Sequence, residues 1–373
     1  TFMEGLFIGL ISGTSVDSID SALVNIYEEG FELLESGTAP IKKDLKQRIF
    51  EAVNASEISS VAINDLDIEL GKAFGVAALH LLEKTSLDSA DIFAIGSHGQ
   101  TIKHAPNEIN PYSIQVGSPE EIARITNIRT VANFRKADIL AGGQGAPLAP
   151  LFHKFIFKKN KISEGVIINI GGICNLTNIN EIDEDIIAYD CGPGNCLIDV
   201  WNRSYNKGEF DAKGSWASSG NFIPLLLEVM LNDSFFRALP PKSSGTDYFN
   251  LKWIQQKISV CKGDFSPKDV QATLVELTVQ VIFNELRRLN ILEEKIYICG
   301  GGIHNTFLIN RLEKIVKNSI FSTSSLGIDP DFLEASCFAW LAKERLKRKR
   351  FDLSKITGSK QKVLLGEVWE VVK

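Results

Sequence analysis

The chain has 373 residues, 44% of them apolar and 23% charged, with a formal net charge of -6. That length accommodates two domains, and the negative balance argues against a general nucleic-acid binder while suiting a small-molecule enzyme whose local basic groups meet an anion. The six cysteines form no C-x-x-C pair and no Cys/His metal spacing, so reduced thiols in a cytoplasmic protein are expected. No apolar run reaches transmembrane length and the start carries no signal-peptide pattern, so no membrane association is expected.

In chain order, Gly5 to Ser12 and Ile19 to Tyr27 read as strands. Between them, Gly13-Thr14-Ser15-Val16-Asp17-Ser18 is a hairpin turn with more hydroxyls than a turn needs. Small residues let backbone N–H groups approach an anion, and hydroxyls add donors. Asp17 or Asp20 could hold a magnesium ion through water. Taken alone, the stretch reads first as a polar hairpin. Lys43 to Val53 and Ala62 to Lys84 have the apolar spacing of amphipathic helices. A strand from Asp91 to Ser97 ends in Ser97-His98-Gly99-Gln100-Thr101, where polar side chains crowded past a strand end suggest substrate contact. A lone histidine such as His98 is more often a satisfied structural group. Ser118-Pro119-Glu120-Glu121 is a helix start with a serine cap and Glu121 closing a capping box.

A strand over Ile128 to Asn133 leads to Arg135, whose planar fork suits a substrate carboxylate. The alternative for Arg135 is a salt bridge to Asp138. The glycine-dense run Gly142 to Pro147 reads as the crossing between domains, and Pro147 to Phe157 returns to helix. Gly165 to Asn180 is again strand, small-residue turn and strand, with Gly171-Gly172 at the turn, echoing Phe7 to Ile26. Two such hairpins imply a duplicated α/β fold, each half a sheet with helices, the two turns facing one another across a cleft.

Ile186 to Asp190 reads as a short apolar strand ending at an aspartate, followed by a Gly192-Pro193-Gly194 turn and helical spacing from Asn195 to Trp201. A carboxylate at a strand's carboxyl end, beside bare backbone N–H groups, is where open α/β sheets place chemistry. Asp190 could take a proton from a nucleophile, hold a metal or cap the next helix. Lys242, in the polar loop Pro240 to Phe249, is an anion contact or a surface residue. Ser266-Pro267 starts a long helix through roughly Leu289. A strand from Lys295 to Cys299 runs into Gly300-Gly301-Gly302, which lets a flat or phosphorylated ligand lie against backbone. The last long helix is expected over Pro330 to Arg348, with Glu334 in its first turn, before a closing turn and strand.

Collected in order, these stretches resemble the anhydro-N-acetylmuramic acid kinases, a family of the acetate-and-sugar-kinase, heat-shock-ATPase and actin superfamily. The resemblance rests on Ser12 to Asp17, His98-Gly99-Gln100-Thr101, Asn133-Phe134-Arg135, Gly142 to Leu148, Asn169 to Gly172, Asp190 to Asn195, Pro240-Pro241-Lys242-Ser243, Cys299 to Gly302 and Glu334-Ala335. Ser18 departs from the family's glycine, and Cys191 from its threonine. The resemblance implies a duplicated actin-like ATPase fold, with residues 1–134 plus 346–373 and residues 135–345 flanking an ATP and substrate cleft. It implies ATP and magnesium as cofactors, a small-molecule sugar as substrate, and a homodimer. Asp190 and Glu334 would be catalytic. Gly13, Thr14, Ser15, Val16, Asp17, Ser18, Ile19 and Asp20, with Gly171, Gly172, Gly300, Gly301 and Gly302, would bind nucleotide, and Asp17 the metal. His98, Gln100, Thr101, Arg135 and Asn175 would meet the sugar. The implied reaction phosphorylates O6 while water opens a 1,6-anhydro bridge at C1, giving N-acetylmuramic acid 6-phosphate for peptidoglycan recycling. The alternatives are a kinase of the same superfamily acting on an ordinary sugar hydroxyl, and an ATP-driven protein-binding module.

Overall fold

The computed structural model describes residues 4–13, 16–27, 30–55, 57–106, 108–180, 185–240 and 242–371; Thr14 and Ser15 of the first turn lie outside them. The chain divides into two compact units, Thr1–Lys161 with Gly327–Lys373, and Ile162–Leu326.

The first unit is built on a sheet that starts as an antiparallel meander of β1 (Gly5–Ser12), β2 (Ser18–Ile26) and β3 (Phe31–Pro40). β4 (Ile92–Ser97) pairs parallel with the other side of β1. β5 (Gln100–Ala105) and β6 (Tyr112–Val116) form a separate hairpin, and β7 (Thr130–Ala132) adds parallel to β4. Glu367–Trp369 closes this sheet antiparallel to β7. β1 is a nearly unbroken apolar run because both its faces are covered. Ile8 and Leu10 belong to a core with Phe74, Leu70 and Leu81 of the helix Ser60–Glu83, while the opposite face packs on the helix Leu333–Leu346. That helix sits unusually close to the sheet. A Cβ on Gly9 would stand 1.7 Å from the Ala335 carbonyl oxygen, and one on Gly96 2.0 Å from that of Phe338. Glycine in mid-strand marks such a close approach.

The second unit repeats this path. β8 (Glu164–Ile170), β9 (Ile173–Asn180) and β10 (Asp185–Pro193) form the antiparallel meander. β11 (Ile296–Cys299) joins parallel to β8, and β12 (Ile320–Ser322) parallel to β11. The order is β10-β9-β8-β11-β12, matching β3-β2-β1-β4-β7 of the first unit. The core lies between Val166, Ile168 and Ile298 and the helix Pro267–Leu289, whose Leu274, Leu277, Val281 and Leu286 are buried.

Two expectations on organisation change. The boundaries fall at 161/162 and 326/327 rather than at 134/135 and 345/346. The helix Leu333–Leu346 goes with the first unit because it covers β1, β2 and β4. The glycine run after Leu140 is no crossing either. It wraps the buried carboxylate of Asp138, which accepts the Gly145 N–H and the Thr357 hydroxyl, each at 2.7 Å.

Candidate active site

In the first unit, the helix that Gly9 and Gly96 admit brings Glu334 beside the end of the sheet. Glu334 is solvent-accessible, yet its carboxyl is held above the ordinary value by desolvation amid surrounding protein and by the charge of Asp20, against the pull of Arg135. Asp20 on β2 accepts the hydroxyls of Thr38 at 3.0 Å and Ser18 at 3.4 Å. Burial raises its carboxyl in spite of them. Arg135, just past β7, gives Nη2 and Nε to Nε2 of His98 at 2.9 and 3.2 Å. Burial brings the guanidinium down to about 10. Desolvation, then the Arg135 charge, pushes His98 down to about 3, and its Nδ1 is 3.0 Å from the Gly99 carbonyl. Donation from Nδ1 leaves Nε2 as the acceptor that Arg135 requires. Asp138 is engaged elsewhere, so Arg135 is not its salt-bridge partner. The result is a cluster of Asp20, Glu334, Arg135 and His98, one cation among two carboxylates and a neutral ring.

The remaining residues expected to meet the sugar divide. Gln100 is buried and accepts the Ser12 hydroxyl at 2.7 Å; it ties β1 to the segment after β4. Thr101 is half-buried and accepts from Gln115 at 3.3 Å.

At the first turn the side chains of Val16 and Ile19 are buried in the core. Val16 and Ile19 can therefore offer a phosphate only their backbone. Val16 holds φ 54, a left-handed conformation uncommon for a β-branched residue, and its N–H donates to Gly13 O at 3.1 Å. A Cβ on Gly13 would meet nothing within 4 Å, so packing does not require glycine there. Asp17 is exposed and ion-paired with Lys46. Asp20, not Asp17, is the carboxylate whose charge reaches Glu334.

In the second unit, β10 does not end at Asp190. It continues to Pro193 through a bulge in which Cys191 is the extra residue, Asp190 pairing with Asn175 and Gly192 with Cys174. Directly opposed residues of an antiparallel pair present side chains on one face, so Asn175 and Asp190 share a face. The Asp190 carboxylate accepts the Ser244 N–H at 2.9 Å, and its own N–H donates to Lys242 O at 3.1 Å. Desolvation raises its carboxyl to about 6, with the Ser244 N–H and the Lys242 charge acting against the rise. Lys242 is neither a surface residue nor a free anion contact. It is buried, 2.9 Å from Glu285.

The N–H groups beside Asp190 are not bare. Those of Gly194 and Cys196 donate to Gly172 O at 2.9 and 3.1 Å, and that of Asn195 to Gly171 O at 2.8 Å. The Asp190 segment and the Gly171-Gly172 turn are thereby one unit of structure. Asp190 does not cap the helix Cys196–Ser204, whose N-cap is Asn195. Packing accounts for some glycines and not others. A Cβ on Gly300, at φ +77, would lie 2.3 Å from Asn169 Oδ1, and one on Gly302 2.3 Å from Ile170. Gly171 and Gly301 have room for a Cβ, at 3.5 and 4.0 Å from the nearest atoms, so space remains there beside exposed backbone. Among the described residues no group of three or more His, Cys, Asp or Glu side chains could cage a metal. Magnesium held by one carboxylate, water and phosphate oxygens needs no such cage, and Asp20 offers that carboxylate.

The sequence signals do not mark Gly9 beside the Glu334 cluster of the first unit, nor Ser244 and Glu285 around Asp190 in the second. A glycine inside an otherwise apolar strand was the available sign for Gly9. The backbone donor at Ser244 leaves no sign in side-chain identity.

Two sheets of one order, each led by a hairpin, with a partly desolvated aspartate at a strand bulge, define an actin-like fold of the kind that carries sugar-kinase chemistry. The profile of a family described as anhydro-N-acetylmuramic acid kinase matches residues 5–371. Relatives called anhydro-N-acetylmuramic acid kinase include one from Coxiella burnetii (strain Dugway 5J108-111), 42% identical over 365 residues and 97% of each chain. Another, from Legionella pneumophila (strain Corby), is 40% identical over 372 residues and 99% of each chain. A solved structure of the Acidaminococcus fermentans (R)-2-hydroxyglutaryl-CoA dehydratase component A aligns with a TM-score of 0.46 at 11% identity, covering 90% of this chain and 98% of that one. The chain belongs to the anhydro-N-acetylmuramic acid kinase family and is an ATP-dependent sugar kinase. Among the described residues no helix is long and apolar enough to cross a membrane.

Proposed function

We propose that the chain opens the 1,6-anhydro ring of 1,6-anhydro-N-acetylmuramic acid with water and phosphorylates O6, yielding N-acetylmuramic acid 6-phosphate. The observation that carries this reading is Asp190, a carboxylate held by one backbone N–H and poised at about 6. A base of that pKa is mostly ionised at neutral pH and still basic enough to take a proton in a transition state. The bridging O6 carries no proton, so only water needs a base. Water oxygen bonds to C1 as the C1–O6 bond breaks. O6 takes the γ-phosphoryl group as that group's bond to ADP breaks. The water proton passes to Asp190 and then to solvent. One carboxylate with water opposite the leaving oxygen is the inverting arrangement of glycoside cleavage.

Arg135 offers its guanidinium to the carboxylate of the sugar's lactyl group, oriented by neutral His98. Glu334 and Asn175 offer acceptors and donors to sugar hydroxyl and amide groups. Backbone at Gly13, Gly171 and Gly301, where a Cβ would not be crowded, would meet the nucleotide. Asp20, with Asp17 through water, would hold magnesium, which supplies neutralisation of phosphate charge when bound. A homodimer is the assembly expected, to be read by light scattering.

The test is turnover in water enriched in heavy oxygen, followed by mass spectrometry. Label on C1 of the sugar and none in the phosphate supports the reading. Label in the phosphate, or a product lacking the added water, overturns it; the latter outcome identifies a kinase of ordinary hydroxyls.

A further inference from the structure

The loop that touches Asp190 has an anchor on the far side of its strand. Lys242 sends its ammonium between the rings of Phe235 and Tyr189, 4.9 and 5.9 Å from their centroids, onto Glu285 Oε1 at 2.9 Å. Glu285 Oε2 accepts the Tyr189 hydroxyl at 3.0 Å and pairs with Arg288. The Lys242 and Glu285 side chains are only 5% and 6% exposed. The carbonyl of the same Lys242 accepts the Asp190 N–H, and two residues on, the Ser244 N–H meets the Asp190 carboxylate. Lys242 and, two residues on, Ser244 thus join the helix Pro267–Leu289 to the backbone and the carboxylate of Asp190.

A buried ion pair is weak evidence for stability, because desolvation of the two charges offsets their attraction. Its better-attested use is to fix a geometry, and here the geometry fixed is that of an irregular loop with no ladder of its own. We infer that the buried Lys242–Glu285 pair is a positioning device for the catalytic base, holding the Ser244 N–H on the Asp190 carboxylate. This rests on the reading of Asp190 as the base. Lys242 and Glu285 are positioning residues and touch no reacting atom.

The charged and titratable groups around Asp190 in its unit are Lys242 from the loop, Glu285 and Arg288 from the long helix, Tyr189 and Cys191 on its own strand, and Cys174 on β9. Lys242 could act on Asp190 by charge alone or by placing the Ser244 donor, and the two predict opposite signs. Glu285→Gln keeps an acceptor for Tyr189 and keeps the lysine charge. Acting by charge alone, Lys242 would lose its counter-ion and depress Asp190 further. Acting by placement, it would lose its anchor, the Ser244 bond would loosen and Asp190 would rise.

The experiment is the pH profile of kcat for the full chain, at saturating ATP and anhydro-sugar, for wild type, Glu285→Gln, Ser244→Pro, Lys242→Arg and Asp190→Asn. Placement predicts that Glu285→Gln moves the acid limb to higher pH by about half to one unit, with kcat at pH 6 several-fold lower and both KM values unchanged. Ser244→Pro, which deletes the donor with the ion pair left intact, moves the limb the same way. Lys242→Arg, which can still reach Glu285, restores it. A limb unmoved or moved to lower pH in Glu285→Gln overturns the inference; should that variant fail to fold, an unmoved limb in Ser244→Pro does so. Full activity in Asp190→Asn would instead sink the assignment of the base, an outcome distinct from an inactive Asp190→Asn accompanied by unmoved limbs in the others.

Discussion

Nε2 of His98 receives Nε and Nη2 of Arg135 at 3.2 and 2.9 Å, two donors on one ring nitrogen. Protonating that nitrogen would set a cation against a cation, and burial already pushes the imidazole down to about 3. His98 is therefore neutral from pH 5 to 9, and its one ring proton, on Nδ1, is given to the Gly99 carbonyl. His98→Gln, which keeps an acceptor for Arg135, should raise KM for the sugar a few-fold and leave the acid limb of the rate profile near pH 6. Disappearance of that limb in His98→Gln would assign the titration to the histidine.

Asp190 links activity to stability with opposite signs. Its folded pKa, about 6, lies above the ordinary carboxylate value. The folded state is therefore penalised once the unfolded chain ionises, above about pH 4, and the penalty is complete above about pH 6. Asp190→Asn should abolish phosphorylation and ring opening together, while raising stability at pH 8 by about 1–3 kcal/mol. That gain should shrink as pH falls from 6 to 4. Urea titrations at pH 8 and pH 4 measure it; equal shifts at both would show that desolvation of the carboxylate is not the cause.

The glycines separate ligand from packing. Gly13 has open space where its Cβ would stand, whereas at Gly302 a Cβ meets Ile170 at 2.3 Å. Gly13→Val should change stability by less than about 0.5 kcal/mol and weaken ATP binding tenfold or more by calorimetry. Gly302→Ala should lose about 1–3 kcal/mol through overpacking. Wild-type ATP affinity in a folded Gly13→Val would remove the first turn from the nucleotide site.

Asp138 is fully buried, with its carboxylate on the Gly145 N–H and the Thr357 hydroxyl. Asp138→Ala leaves a buried backbone donor without its partner and should destabilise the chain by about 2–4 kcal/mol. Chemical denaturation measures it. A loss below 1 kcal/mol would mean that the glycine run holds itself.

How much of this could be read beforehand depended on where apolar burial wrote the pattern. β1, β2, β8, β9 and β11 are apolar runs broken by small-residue turns, and each was legible. β3 lies at a sheet edge with alternate residues half-exposed, so little burial shapes its composition, and the β5–β6 hairpin is similarly polar. The strand through Asp190 looked finished because Gly192-Pro193 reads as a turn; a bulge carries the pairing onward. The glycines near 142–147 looked like a linker because composition cannot distinguish a hinge from a loop wrapped on a buried acid. Of the two crossings, the one at Lys161 and Ile162 bears no Gly or Pro, while the one at Leu326 and Gly327 carries a glycine. The resemblance gives the metal to Asp17, whereas the charge that reaches Glu334 is that of Asp20, because which of two nearby aspartates faces inward is decided by β2 pairing and not by composition.

The interleaved path of the chain has a consequence for its biosynthesis. Ile162–Leu326 is one uninterrupted stretch, whereas the sheet of the other unit lacks its covering helix and last strand until residues after Gly327 exist. On a ribosome adding roughly 5–20 residues per second, the later-made unit can finish folding first. The earlier-made half meanwhile waits for seconds to tens of seconds with one face of β1 and β4 uncovered around Gly9 and Gly96. An apolar face left open in this way is the kind of surface that chaperones cover during synthesis.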